Sequence, residues 1–155
     1  MIQIITPLDK IQQTLKNLKD AENAIPEIIF EGAKKSADAV RDRVEGQGLA
    51  TNGSFLDTPS SNPIGRYGQR HGKERQEKGL QTQIVSLGFT EQMWNSWTEE
   101  QNGLETGVGF DNEEARFKAK ANEDLYDTPI FPPSEQEIKD AGKFIMDMFN
   151  EKMKQ

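Results

Sequence analysis

The sequence predicts an α+β domain in which amphipathic helices at both ends of the chain pack on a small antiparallel β-sheet. Two observations carry that prediction. Apolar residues recur at helical spacing from Leu8 to Val44 and again from Ile138 to Phe149. Between these stretches, Asn102-Gly103 lies between β-prone segments, as hairpin turns do. Helices set apart from strands along a chain mark an α+β layering. At 155 residues, the chain is read as one domain, 1–155.

The first six residues are apolar and β-prone. Thr6 then offers an N-cap, and Pro7 occupies a first helical position, where its missing N–H costs nothing. Leu8, Ile11, Leu15 and Leu18 share one helical face. Residues 23–26, ending in Pro26, read as a bend or a fresh start. Ile25, Ile28, Ile29, Ala33, Ala37, Val40 and Val44 carry the stripe on to about Glu45, where Gly46-Gln47-Gly48 ends it. A helix over 24–45 would be about 33 Å long.

From residue 48 to 79 the periodicity is lost. Asn52-Gly53, Thr58-Pro59, Asn62-Pro63, Gly65 and Gly68 are breakers, and the segment reads as an extended loop or arm, of a length that usually carries function. Its second half, 66–78, sets Arg66, Arg70, Lys73, Arg75 and Lys78 against Glu74 and Glu77, a local +3 in a chain of net charge -7. Residues 99–127 carry nine acids against three cations, a local -6. The arm is therefore expected to reach an adjacent subunit or connector protein, with electrostatics setting register and hydrophobic contacts supplying most of the affinity.

Residues 81–87 are strand-like, with Ile84 and Val85 adjacent, and 93–98 contain the β-prone Trp94, Trp97 and Thr98. Beyond the Asn-Gly turn, 104–110 give a partner strand with Leu104, Thr106, Val108 and Phe110 on one face. Asp111-Asn112 offers a cap for a short helix carrying Ala115, Phe117 and Ala119. Thr128-Pro129 and Pro132-Pro133 impose an extended linker. Ser134 with Glu137 forms a capping box that opens a last helix, with Ile138, Ala141, Ile145, Met148 and Phe149 on its inner face and Met153 extending it. The second face of the sheet is left to solvent or to a neighbouring subunit.

Composition narrows the chemistry. An acidic chain, of sequence pI near 4.8, is ill suited to coating nucleic acid, whose affinity comes from Lys and Arg displacing counterions. No cysteine is present, so disulfides and thiolate chemistry are excluded. Runs such as Ile28-Ile29-Phe30 are far shorter than the roughly 20 apolar residues of a membrane span, and the N-terminus does not have the form of a signal peptide. A soluble protein made in the cytoplasm is expected.

His71 is the only histidine, which leaves triads and imidazole metal sites without material; it reads as a solvated loop residue. Asp111, Asn112, Glu113 and Glu114 do not have the spacing of a calcium loop and fit a helix N-terminus better. Gly103, Gly107 and Gly109 lie around a hairpin, not in a phosphate-binding loop. Trp94 and Trp97, three apart, would face opposite sides of a regular strand, one for the core and one for an interface; packing of both inside the subunit is the equal alternative.

Three stretches are similar to the tailed-bacteriophage virion morphogenesis and tail-completion proteins, the head-tail connectors. One is the helical start, 8–45. Another is 67–96, where Lys78-Gly79-Leu80-Gln81-Thr82 leads into Val85-Ser86-Leu87-Gly88-Phe89-Thr90 and Met93-Trp94-Asn95-Ser96; Glu91 stands where the family has glycine. The third is 104–155, with Val108-Gly109-Phe110, Lys118-Ala119 and Ile130-Phe131-Pro132 in the family's order. The resemblance implies a non-enzymatic subunit that assembles as a ring around the portal-tail axis. Its expected partners are copies of itself and other virion proteins such as portal, adaptor and tail proteins. No cofactor, metal or membrane is expected, and the virion is the expected location. Arg66, Arg70, Arg75, Trp94 and Trp97 are the expected interface residues. The alternative is a small phage DNA-binding or packaging-accessory factor using 66–78. A metal-dependent hydrolase or nuclease would need converging carboxylates, and the sequence has no such spacing.

Overall fold

The computed structural model describes residues 7–87 and 92–154. The β-prone start, the Thr6 cap and the Gly88-Phe89-Thr90 part of the resemblance lie outside the described residues. The fold is α+β: four α-helices packed on a two-stranded antiparallel sheet.

Helix α1, Pro7–Arg41, is continuous for 35 residues, about 52 Å, and ends in a π-helical turn, Asp42–Gly46. Of the bend or fresh helix start expected near Pro26, the fresh start does not occur. Pro26 sits inside the helix with its ring exposed, so a single backbone bond is forfeited and the apolar stripe runs through it. Helix α2, Gln69–Glu77, lies within the segment read as a loop, hidden from the sequence pattern because only Gly72 and Arg75 among its residues are buried.

Strands β1, Trp97–Asn102, and β2, Glu105–Phe110, pair from Trp97 with Phe110 to Asn102 with Glu105. The turn is therefore Gly103-Leu104, with Gly103 at φ +65°, and Leu104 projects from the tip instead of starting the strand. No strand forms over 81–87. There the Gln81 side chain accepts from the Ile84 N–H at 3.0 Å and donates to the Ile84 carbonyl at 2.9 Å, replacing a sheet ladder with a local turn.

Helix α3, Glu113–Tyr126, starts with the Asn112 side chain accepting from the Ala115 N–H at 2.9 Å. Helix α4, Glu135–Lys154, opens on the capping box: the Glu137 N–H donates to Ser134 Oγ at 3.2 Å, and the Ser134 N–H to Glu137 Oε2 at 2.6 Å.

Helices α1 and α4 lie antiparallel. The Asn17 amide donates to the Met153 carbonyl at one end, and Arg43 meets Glu137 at the other. Between them Gly32 lets the helices close, since a Cβ there would come within 2.5 Å of Ile145 Cδ1. Ala141, Ile145, Met148 and Phe149 are buried or half-buried as the periodicity predicts, whereas Ile138 is exposed. The hairpin leans on α1, with Trp97 Nε1 donating to the Ala37 carbonyl and the Gln101 amide to the Pro26 carbonyl.

The core lies where the hairpin, α3 and the end of α1 meet. Trp94, Trp97, Phe110 and Phe131 form one aromatic cluster, with ring centroids 4.9 to 6.4 Å apart. Val40, Val44, Leu56, Tyr67, Val85 and Ile130 surround it.

Candidate interaction surfaces

Arg43 shows how the second half of the chain is fastened to the first. Its guanidinium donates to Glu137 Oε1 at 2.8 Å and to the carbonyls of Leu49, Ile130 and Pro132 at 3.0 to 3.1 Å, all with the side chain 9% exposed. A charge so placed is stable only when its donors are satisfied, and the fork of Arg supplies donors in several directions. Burial raises the Glu137 pKa, yet the hydrogen bond from Arg43, the Ser134 backbone N–H and the Arg43 charge outweigh it, so the carboxyl titrates below its ordinary value.

Residues 48–79 form the expected long connection, but it does not project as an arm. Ala50, Leu56, Tyr67 and Arg75 are buried in it. The Leu56 N–H bonds the Gly48 carbonyl, Thr51 the Pro129 carbonyl, and Arg66 the Thr82 carbonyl. The Tyr67 hydroxyl accepts from the Ser86 N–H at 3.0 Å and the Arg75 guanidinium stacks 4.6 Å from the Tyr67 ring centroid. Thr58 Oγ1 lies 3.1 Å from the Tyr126 hydroxyl, whose pKa burial pushes up. Breaker residues marked the irregular backbone, but a loop that docks through single buried side chains has no period to reveal it.

The five residues expected at an interface separate. Trp94 is 1% exposed inside the aromatic cluster, in a 3-10 turn (Trp94–Ser96) instead of a strand. Trp97 is half-buried, its ring T-shaped to Trp94 at 6.0 Å, so both tryptophans pack within the subunit. Arg75 is 3% exposed and donates to the Gln81 carbonyl at 2.8 Å. Neither Trp94 nor Arg75 is placed to touch a partner, because hydrophobic packing and a carbonyl acceptor already hold them inside. Arg66 and Arg70 do reach the surface. Arg66 grips both oxygens of Asp57 at 2.7 and 2.9 Å and lies 3.9 Å from the exposed Phe55 ring, and Arg70 pairs with Glu74 at 3.1 Å. Arg66, Arg70 and Arg75 are thus engaged within 48–81, which lowers the charge left for DNA or for a neighbour. His71 sits exposed on α2 with its ring edge toward Tyr67 at 5.0 Å; desolvation, then Arg75, holds its pKa down.

Among the described residues, no group of three or more His, Asp or Glu is arranged to hold a metal ion, and no helix is long and apolar enough to cross a membrane. Asp111, Glu113 and Glu114 sit around the N-terminus of α3, which favours their charge. The hollow on the outer face of the hairpin, lined by Thr98, Glu100, Val108, Phe110 and Arg116, is open, and a Cβ at Gly107 or Gly109 would meet nothing there.

The exposed apolar side chains that the sequence reading missed lie elsewhere. On α1, Leu8, Ile11, Leu15 and Leu18 are 50–62% exposed, although the same stripe is buried or half-buried from Ile25 onward. On α3, Phe117 is 75% and Leu125 52% exposed. The available signal was length: the N-terminal stripe, 8–44, is longer than the 20-residue α4 that packs along it.

No family model matches the chain, and comparison with curated proteins and with solved structures finds no significant match.

Proposed function

We propose that the chain is a structural assembly subunit of a tailed-phage virion, a neck or tail-completion protein that joins copies of itself and neighbouring virion proteins in a ring. One observation supports this reading above the others. Large apolar side chains stand exposed on the first turns of α1, at the Leu104 hairpin tip and on the outer face of α3, while the aromatic cluster is well buried. Exposed apolar stripes of this extent mark association surfaces. The ordered likeness of 8–45, 67–96 and 104–155 to the tail-completion family adds the place of assembly.

The test is removal of the gene from the phage that carries it, followed by electron microscopy and mass spectrometry of the products. Unjoined heads and tails, with the chain present in wild-type particles at a fixed copy number, are the expected outcome. Infectious particles of normal form that never contain the chain would overturn the reading.

A further inference from the structure

The exposed stripe at the start of α1 belongs to a face that is buried elsewhere. Residues 8, 11, 15 and 18 follow one another at spacings of three and four, the geometry of a single helical ridge, and Ile25, Ile29, Ala33, Ala37 and Val40 prolong it as buried or half-buried positions. Cover stops where the neighbours stop. The Gln101 side chain reaches the Pro26 carbonyl beside the hairpin tip, and α4 reaches α1 near Asn17, which bonds Met153 one residue before that helix ends. The first turns of α1 run on past both, with Leu8, Ile11 and Leu15 at 57–62% exposure.

A second exposed ridge lies on α3. Ala115, Ala119 and Tyr126 face inward, and Phe117, Ala121 and Leu125, four apart, stand on the outer side. The ridges match in length, about 15 Å from Leu8 to Leu18 and about 12 Å from Phe117 to Leu125. Their charges oppose. The α1 end, 7–20, carries Lys10, Lys16 and Lys19 against Asp9 and Asp20, whereas 111–127 carries six acids against three cations. Lys118 and Lys120 pair with Glu114 and Asp124 on their own helix, which leaves Asp111, Glu113, Glu123 and Asp127 against Arg116.

We infer that the first turns of α1 in one copy dock through Leu8, Ile11, Leu15 and Leu18 onto the Phe117–Ala121–Leu125 ridge of α3 in the next copy, a head-to-tail junction. This rests on the ring assembly proposed above and supplies its contact. The two surfaces differ and lie on one chain, so each subunit offers one to either side. That is the heterologous arrangement a closed ring requires, whereas a ridge pairing with its own copy gives a dimer. The lysines of α1 then face Glu113 and the net negative surface of α3, and electrostatics selects the partner and its orientation.

The experiment uses two full-length variants, Ile11→Asp/Leu15→Asp and Phe117→Asp/Leu125→Asp. All four positions are solvent-exposed, so each variant keeps the fold, with circular dichroism and melting to verify it. Mass photometry is run on each alone and on their equimolar mixture beside the wild type. The expected result is a wild-type oligomer, two monomeric variants, and a mixture that forms a species of twice the 17.5 kDa chain mass, because the mixture holds one intact junction per pair. A wild type that assembles while both variants assemble equally well overturns the junction and leaves the ring reading standing. Self-dimers of the α3 variant that the α1 variant does not form also overturn it, in favour of α1 pairing with α1. A wild type that stays monomeric at every attainable concentration overturns the ring and the junction together.

Discussion

Arg43 and Glu137 meet at 2.8 Å beneath the surface, 94 residues apart in sequence, and their bond joins the end of α1 to the first turn of α4. The same guanidinium holds the Leu49, Ile130 and Pro132 carbonyls, so one side chain ties three segments that share no secondary structure.

Replacing Arg43 with Met is expected to destabilise the fold by about 3–5 kcal/mol, since it leaves a carboxylate and backbone carbonyls without their donor. Urea denaturation measures this. A loss under about 1 kcal/mol, the worth of an exposed pair, would show that the cluster is not structural.

Glu137 makes stability depend on pH in a definite direction. Its folded pKa lies below the ordinary 4.5, so the carboxylate contributes stability that is fully present above that value and is lost as pH falls through the folded pKa. Acid titration of the unfolding free energy in wild type and in Glu137→Gln should give a shallower acid slope for the variant. Parallel curves would count against the coupling.

Gly65 holds the docked loop against the 81–87 segment. Its φ is +61°, and a Cβ would run into the Thr82 carbonyl, which is also the acceptor for the Arg66 N–H. Gly65→Ala should cost about 1–3 kcal/mol, through overpacking against a backbone group that cannot step aside and a left-handed conformation that alanine resists. Gly53, also at positive φ but facing open space, is the control and should cost less.

How much of this could be read from the sequence depends on how local the cause is. Asn112, and Ser134 with Glu137, announce α3 and α4 because a cap needs residues only three apart. The hairpin was legible within one residue, the slip at Leu104 arising because Gly103 supplies the positive φ at the first turn position. The docking of 48–79 was not. Leu56, Tyr67 and Arg75 fall at no common spacing, and each is held by a partner remote from it or by ring stacking. The stripe from Leu8 to Leu18 was legible as amphipathic, but amphipathicity does not say whether the cover comes from the same chain.

Pro26 offers a test of the helix at the point where the sequence left a bend or a fresh start open. The residue lies inside α1, where proline forfeits a backbone bond, and its carbonyl receives the Gln101 amide at 2.7 Å. Pro26→Ala keeps that carbonyl and restores the N–H. A gain of about 1–3 kcal/mol and a melting point several degrees higher are expected. An unchanged or lower melting point would mean that the hairpin packs on a bend which proline imposes.

Limited digestion with trypsin separates a docked loop from a projecting arm. Arg70 and Lys73 are exposed, so a free arm would be cut there within minutes while the rest of the chain survived. In this fold both bonds lie in α2, which is anchored by its own buried Arg75 stacked on the buried Tyr67 ring, so a protease must first release the loop from the core. Cleavage should therefore be slow in the wild type and track the opening free energy as urea is added. Tyr67→Ala removes the ring under Arg75 and the acceptor for the Ser86 N–H, at a cost of about 3–5 kcal/mol, as for a large buried aromatic, and should make these sites labile together. Rapid cutting of the wild type at Arg70, with Tyr67→Ala no faster, would mean that 48–79 moves independently of the core.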